Sequence, residues 1–226
     1  MIPEGRGLRI IGDVHGDTKA FAIAAETDLF VIQLGDLVDD GPDTPGTLDI
    51  MFRLLDEKRG LFLLGNHDFK LARALRGDLV TKSPSLHRTL ETLSPAQAAR
   101  AQSEIMQAPA WLNHKNRFFV HGGFHPAMLA TPPPNFPAAR PDPLLARALY
   151  GQTTGRVTGA GRPERLIGWV HHVPADVIVY CGHDRRSLDD RPYIKNGVLG
   201  GTTVFLDTGA GKGGHLSWID IPAANT

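Results

Sequence analysis

The sequence predicts an α/β fold whose early strands pair in parallel. Three observations carry that expectation. Short β-branched and aromatic runs recur along the chain, each halted by a glycine, histidine or aspartate, which is the signature of buried strands. Helical apolar spacing fills the gaps between the first three runs, and strand–helix–strand alternation implies parallel pairing with right-handed crossovers. The chain has 226 residues, 42% of them hydrophobic and 21% charged, inside the globular range and far from disorder. One domain over residues 1–226 is expected.

The elements follow in order. Leu8-Arg9-Ile10-Ile11 reads as the first strand, and Phe21, Ala24 and Ala25 mark a helix before the second, Leu29 to Leu34. Leu48, Met51, Phe52 and Leu55 are spaced i, i+3, i+4, i+7, one apolar stripe of a helix that Gly60 should stop. Leu61 to Leu64 is the third strand, and Leu71 and Leu75 mark a shorter helix closed by Gly77. Residues 79–116 read as a helical insertion, with a capping box at Ser94-Pro95-Ala96-Gln97. Arg117 to Val120 is a further strand. The stretch 126–143 holds seven prolines and reads as a surface loop. The last third, with strands near Val177, Thr203 and His215–Ile219, shows no clear helix and suggests antiparallel pairing.

Composition narrows the function. Twenty-four Lys+Arg balance 24 Asp+Glu, which argues against a polybasic nucleic-acid binder. The single cysteine, Cys181, cannot form an internal disulfide. No apolar run approaches a membrane span, and the first residues do not read as a signal peptide. A cytoplasmic protein without a membrane partner is expected.

The strand ends carry the chemistry. Gly12-Asp13-Val14-His15-Gly16 follows the first strand, Gly35-Asp36-Leu37-Val38-Asp39 the second and Gly65-Asn66-His67-Asp68 the third. His121-Gly122-Gly123, Gly182-His183 and Asp207-Thr208-Gly209 follow later runs. In open α/β sheets ligands bind outside the carboxyl ends of the strands, so these groups should converge. Mixed carboxylate, amide and imidazole donors suit Mn, Fe or Zn, and no thiolate pair favours a structural zinc. A two-metal centre needs one bridging carboxylate, for which Asp36 is the natural candidate. Asp207 reads as ordering its own turn.

These five blocks, from Gly12-Asp13 to Gly182-His183, resemble the binuclear metallophosphoesterases. The likeness is greatest to the branch holding serine/threonine phosphoprotein phosphatases, a bacteriophage protein phosphatase and symmetrical diadenosine tetraphosphatase. The resemblance implies a sandwich of two mixed sheets flanked by helices, in α-β-β-α layers. It implies two divalent ions, manganese first and iron or zinc as alternatives. Asp13, His15 and Asp36 would hold one ion, and Asp36, Asn66, His121 and His183 the other. A hydroxide bridging the ions would attack phosphorus, and His67, oriented by Asp39, would protonate the leaving oxygen.

One position departs from the pattern. Protein phosphatases of this branch carry arginine after the second aspartate of the Gly-Asp-x-x-Asp block, where this chain has Asp40. A carboxylate cannot clamp phosphate as a guanidinium does. Asp40 must therefore point away, pair with a cation, or face a substrate of different charge. Arg165, with Arg162 as second choice, is the candidate phosphate-binding arginine, although a solvated surface arginine reads nearly as well. The expected function is a metal-dependent hydrolase of phosphomonoesters, on a protein or small molecule. The alternatives are a phosphodiesterase or dinucleoside polyphosphate hydrolase, and a non-catalytic scaffold of the same fold.

Overall fold

The strand β1 (Leu8–Ile11) lies at the centre of the first sheet, and its alternating side chains explain the layering. Leu8 and Ile10 enter one buried cluster while Ile11 enters another. A one-residue slip would turn Arg9 into the core, so the register is strongly specified. This computed structural model describes residues 2–137, 140–159, 161, 163–187 and 189–223.

β1 pairs in parallel with β2 (Phe30–Gln33), which pairs in parallel with β3 (Gly60–Phe62). The crossovers are α1 (Thr18–Ala25) and α2 (Thr44–Asp56), capped by Asp17 and Asp43. α2 ends before the expected stop: Lys58 turns the chain at φ 53°, and Gly60 instead begins β3. α3 (Asn66–Arg76) closes at Gly77, whose φ of 92° is the left-handed conformation that glycine adopts without a Cβ clash.

The insertion holds α4 (Pro84–Thr92) and α5 (Pro95–Gln107), and α5 starts with the expected Ser94/Gln97 capping box. It is not helical throughout. β4 (Trp111–His114) pairs antiparallel with β5 (Arg117–Val120), burying Trp111. The proline-rich stretch opens with a 3-10 turn over Pro126–Leu129, and Pro143 begins α6 (Pro143–Tyr150) under an Asp142 cap. Residues 138 and 139 of that stretch lie outside the described residues.

The remaining strands are β6 (Gln152–Val157), β7 (Pro163–Leu166), β8 (Ile178–Cys181), β9 (Tyr193–Asn196), β10 (Thr202–Phe205) and β11 (Trp218–Ile221). The first sheet has the order β11-β1-β2-β3 and the second β4-β5-β8-β10-β9. β6 and β7 form a separate two-stranded flap. The antiparallel expectation for the last third holds for β6–β7, β9–β10 and β1–β11 but fails for β8 and β10, which pair in parallel. The chain between them runs through the edge strand β9, so a parallel crossover is made without a helix.

Two sheets rather than one receive the strand ends. Leu8, Ile10, Phe30 and Ile32 of the first sheet meet Phe119, Tyr180 and Val204 of the second in one cluster. Within it the rings of Phe119 and Tyr180 stack at 5.5 Å. Each such side chain contributes about 1.5–3 kcal/mol on burial. The alternate residues Ile11, Val31, Phe118, Val120, Val179 and Phe205 pack with helical residues including Phe21, Met51, Phe52, Leu145 and Leu149. The result is a mixed α/β fold with two mixed sheets flanked by helices. Among the described residues no helix is long and apolar enough to cross a membrane.

Candidate metal centre

The loops after β1, β2, β5 and β8 and the first turn of α3 meet where the two sheets' carboxyl ends approach. Asp13, after β1, accepts the backbone N–H of His183, after β8, at 3.0 and 3.1 Å. That contact ties one sheet to the other. A Cβ at Gly182 would stand 2.0 Å from Asp13 Oδ1, so a glycine there is what lets the strand ends close on each other.

His15 and His121 are both fully buried and held in the same way. His15 Nδ1 lies 3.1 Å from the Val38 carbonyl oxygen and His121 Nδ1 lies 3.0 Å from that of Leu34. A carbonyl only accepts, so each Nδ1 carries a hydrogen and each Nε2 is the ring nitrogen left for a ligand. Both Nε2 atoms face Asp36: its Oδ2 is 3.5 Å from His15 Nε2 and 3.4 Å from His121 Nε2. Asn66 Oδ1 lies 3.1 Å from His121 Nε2. His183 Nε2 is buried with no hydrogen-bond partner among the described residues, a costly state for a ring nitrogen unless it ligates something.

Three donor groups with ligand atoms within 4.8 Å of one another occur among the described residues, His15–Asp40–His67, Asp13–His15–Asp36 and Asp36–His121–His183. The last two share Asp36, the requirement for a bridged pair of ions. The orphaned His183 nitrogen, the two imidazoles anchored through Nδ1 with Nε2 turned to the cluster, and the all-oxygen-and-nitrogen donor set fit divalent metal ions. Burial opposes charge on Asp36, but the neighbouring His121, His67 and His15 hold its carboxyl well below the usual range. Burial, reinforced by the charge of His121, keeps His183 neutral and able to ligate.

His67 stands beside this group. Its Nδ1 is 2.8 Å from Asp39 Oδ2, and its backbone N–H donates to Asp36 Oδ1 at 2.8 Å. Burial pushes its pKa down, yet Asp36 and Asp39 together raise it to about 9. His15, Asp36, Asp39, Asp40 and His183 all have φ between 48° and 71°. Left-handed backbone costs a non-glycine residue roughly 1–2 kcal/mol, and its concentration here follows the usual clustering of strain at functional sites.

The cleft over the centre has a volume of about 960 Å³. Asp36, Asn66, His67 and His183 form its floor, and Arg165 of the flap lines it with Arg185, Arg186 and Lys212. The carboxylates of Asp36, Asp40, Glu164, Asp184 and Asp207 outnumber those four basic groups, so an anionic substrate requires further cations. Asp40 resolves its departure by pairing with a cation: its Oδ2 is 3.2 Å from Lys212 Nζ. Asp207 accepts the N–H of Gly209 at 2.9 Å and so orders its own turn. Arg162 lies outside the described residues.

Three participants escape a reading of the sequence. Asp68, fully buried, accepts the N–H groups of Asp36 at 2.7 Å, Leu37 at 3.0 Å and Gly65 at 3.2 Å. Burial and the Asp36 charge raise its pKa to about 7. An acid three residues after Gly65 at a helix start was the signal for it. Thr89 of α4 donates to Asp39 Oδ1 at 2.7 Å, and nothing local announces that contact. Lys212 lies in Gly209-Ala210-Gly211-Lys212-Gly213-Gly214, a glycine-rich stretch after a strand, which is a phosphate-cradle pattern.

A buried carboxylate–imidazole cluster sharing one aspartate, set at the strand ends of a two-sheet sandwich, defines a metal-dependent hydrolase of phosphate bonds. Residues 8–190 match the model of the calcineurin-like phosphoesterases, and the chain belongs to that family, whose members use a binuclear metal centre. Among its relatives is an asymmetrical bis(5'-nucleosyl)-tetraphosphatase of Oceanobacillus iheyensis, 25% identical over 95% of this chain and 88% of that protein. A symmetrical bis(5'-nucleosyl)-tetraphosphatase of an Acidovorax species is 35% identical over 51% of this chain and 40% of its own length. A solved structure of a proposed diadenosine tetraphosphatase superposes with a TM-score of 0.62 at 21% identity, covering 100% of this chain and 97% of that one. A protein serine/threonine phosphatase from Saccharomyces cerevisiae superposes with a TM-score of 0.63 at 12% identity, over 98% of this chain and 81% of that one.

Proposed function

We propose that this chain is a metal-dependent hydrolase of dinucleoside polyphosphates, of which diadenosine tetraphosphate is the representative substrate. This reverses the order of the sequence-based expectation, which put phosphomonoesters first. The observation that carries the reading is the size of the cleft. Its 960 Å³ extends from the carboxylate–imidazole floor to Arg165 on the flap, more room than one phosphoryl group uses. The names of the full-length relatives point the same way. Internal phosphoryl groups of such a chain carry less charge each than a monoester dianion, which eases the presence of Asp40 beside them.

In this reading Asp13, His15 and Asp36 hold one divalent ion, and Asp36, Asn66, His121 and His183 the other. Bound there, the ions would supply an activated water and neutralise charge on the phosphoryl oxygens. Asp36 serves both groups through Oδ2, while its Oδ1 accepts the His67 N–H and keeps the acid in register with the metal ligands. His67 gives its Nε2 proton to the departing phosphate oxygen, and Asp39 fixes the ring by accepting the Nδ1–H hydrogen bond. Arg165 contacts the phosphate chain from the flap side of the cleft.

The test is hydrolysis of diadenosine tetraphosphate by purified protein with Mn²⁺, set against aryl phosphate mono- and diesters. Faster turnover of the dinucleotide is expected, and His67→Asn should lower it by about 10²–10⁴-fold. Asymmetrical cleavage would give ATP and AMP, symmetrical cleavage two ADP. An aryl monoester turned over faster than the dinucleotide would overturn the substrate assignment, and full activity of His67→Asn would overturn the acid.

A further inference from the structure

The loop after β10 delivers a cation to the cleft floor. Asp207 Oδ1 accepts the Gly209 N–H, and the Gly209 carbonyl accepts the N–H groups of Lys212 at 3.0 Å and Gly214 at 2.8 Å. Thr208 Oγ1 closes the loop by donating to the His215 carbonyl at 2.6 Å. Gly211 sits at φ 68°, and a Cβ there would lie 2.3 Å from the His15 carbonyl oxygen. The loop is thus pressed onto His15 and carries Lys212 over the centre.

Lys212 Nζ lies 2.7 Å from His15 Nε2 and 3.2 Å from Asp40 Oδ2. Its side chain is 41% exposed and lines the cleft with Asp36 and His67. Two of the three other basic side chains there are engaged differently: Arg186 pairs with Asp184 at 2.6 Å, and Arg185 with Asp190 at 3.1 Å. An ammonium has three donors. An ion on His15 Nε2 would displace the ammonium from that nitrogen and leave it on Asp40, which uses one donor while two remain.

We propose that Lys212 binds a phosphoryl oxygen of the substrate next to the scissile bond, and that Asp40 is the positioning residue that holds its ammonium over the cleft. The proposal rests on reading the cleft as a phosphate-chain site. Asp40, which by itself would repel the substrate, becomes the anchor of the group that attracts it.

Inorganic phosphate is the probe, titrated calorimetrically into Mn²⁺-loaded protein. Lys212→Met should weaken phosphate binding by about 10- to 100-fold, the loss of one hydrogen bond from a charged group, with unchanged Mn²⁺ stoichiometry. Lys212→Arg should stay within about threefold of wild type on the same scale. The exchange Asp40→Lys with Lys212→Asp should recover most of the loss, since lysine already adopts left-handed backbone here at Lys58 and Lys115. With substrate, Lys212→Met should raise KM more than it lowers kcat. Unchanged phosphate affinity in Lys212→Met, or a loss that tracks lost Mn²⁺, overturns the role of Lys212. No recovery in the exchanged pair overturns that of Asp40. Failure of the substrate reading looks different: wild-type protein binds phosphate, with the Lys212 effect intact, yet leaves diadenosine tetraphosphate uncut.

Discussion

Replacing Thr89 with valine tests whether the helical insertion reaches the chemistry. Thr89 is buried in α4, and its hydroxyl donates to Asp39 Oδ1 at 2.7 Å. Asp39 is itself buried, and its backbone N–H donates to Thr44 Oγ1 at 3.2 Å, while its Oδ2 faces His67. Valine keeps the shape and removes the hydroxyl, so Asp39 Oδ1 loses its Thr89 donor and Thr44 Oγ1 loses a 3.4 Å contact. A hydrogen bond to a charged group is worth about 1.5–3 kcal/mol, and that is the expected loss of unfolding free energy. Because Asp39 orients His67, turnover should fall as well, by about 10- to 100-fold, the range typical when a supporting partner of a site residue is removed. Urea unfolding of the Mn²⁺-loaded protein measures the first effect and steady-state kinetics the second. Thr89→Ser, which keeps the hydroxyl, should recover most of the turnover. Equal unfolding midpoints and equal kcat in Thr89→Val and wild type would refute the coupling.

Asp68→Ala removes the acceptor of three backbone N–H groups, so it should cost about 3–5 kcal/mol and abolish binding of the ion pair; metal titration with full stoichiometry would contradict this. Mn²⁺ at a hundred times its Kd should raise stability by about 2.7 kcal/mol, and EDTA should reverse it; an equal gain in Asp36→Asn, read by thermal unfolding, would show that the ions bind elsewhere. Arg76 and Arg73 hold the Asp78 carboxyl down at about 2, below the 3.8 of an ordinary aspartate. Its contribution to stability is therefore present above about pH 4 and lost as pH falls through 2. Asp78→Asn should flatten that part of the acid limb in denaturation midpoints taken from pH 2 to 5, and an unchanged limb would discount the pair.

The candidate centre was legible in the sequence because its donor groups obey a local rule. Each lies within a few residues of a strand's end, marked by an adjacent glycine, and strand ends in an α/β fold converge whatever the rest of the chain does. Asp13, His15, Asp36, Asn66, His121 and His183 could be named from that rule and the family likeness, and the structure brings them within one cluster. The pairing of β8 with β10 was not legible, because a parallel crossover without a helix leaves no periodic signal.

What the sequence by itself determined is the set of elements and the chemical groups at their ends, since apolar periodicity, caps and glycine-bounded turns are properties of short segments. The tertiary structure alone decided how those segments divide into two sheets, and which distant side chains support the site. Lys212 meets His15 across 197 residues of chain and Thr89 meets Asp39 across 50. Asp40 shows the difference most directly. In the sequence it is an anion where a phosphate clamp was expected, and in the folded protein it pairs with Lys212, because a glycine-rich loop from the other sheet has space to press against His15.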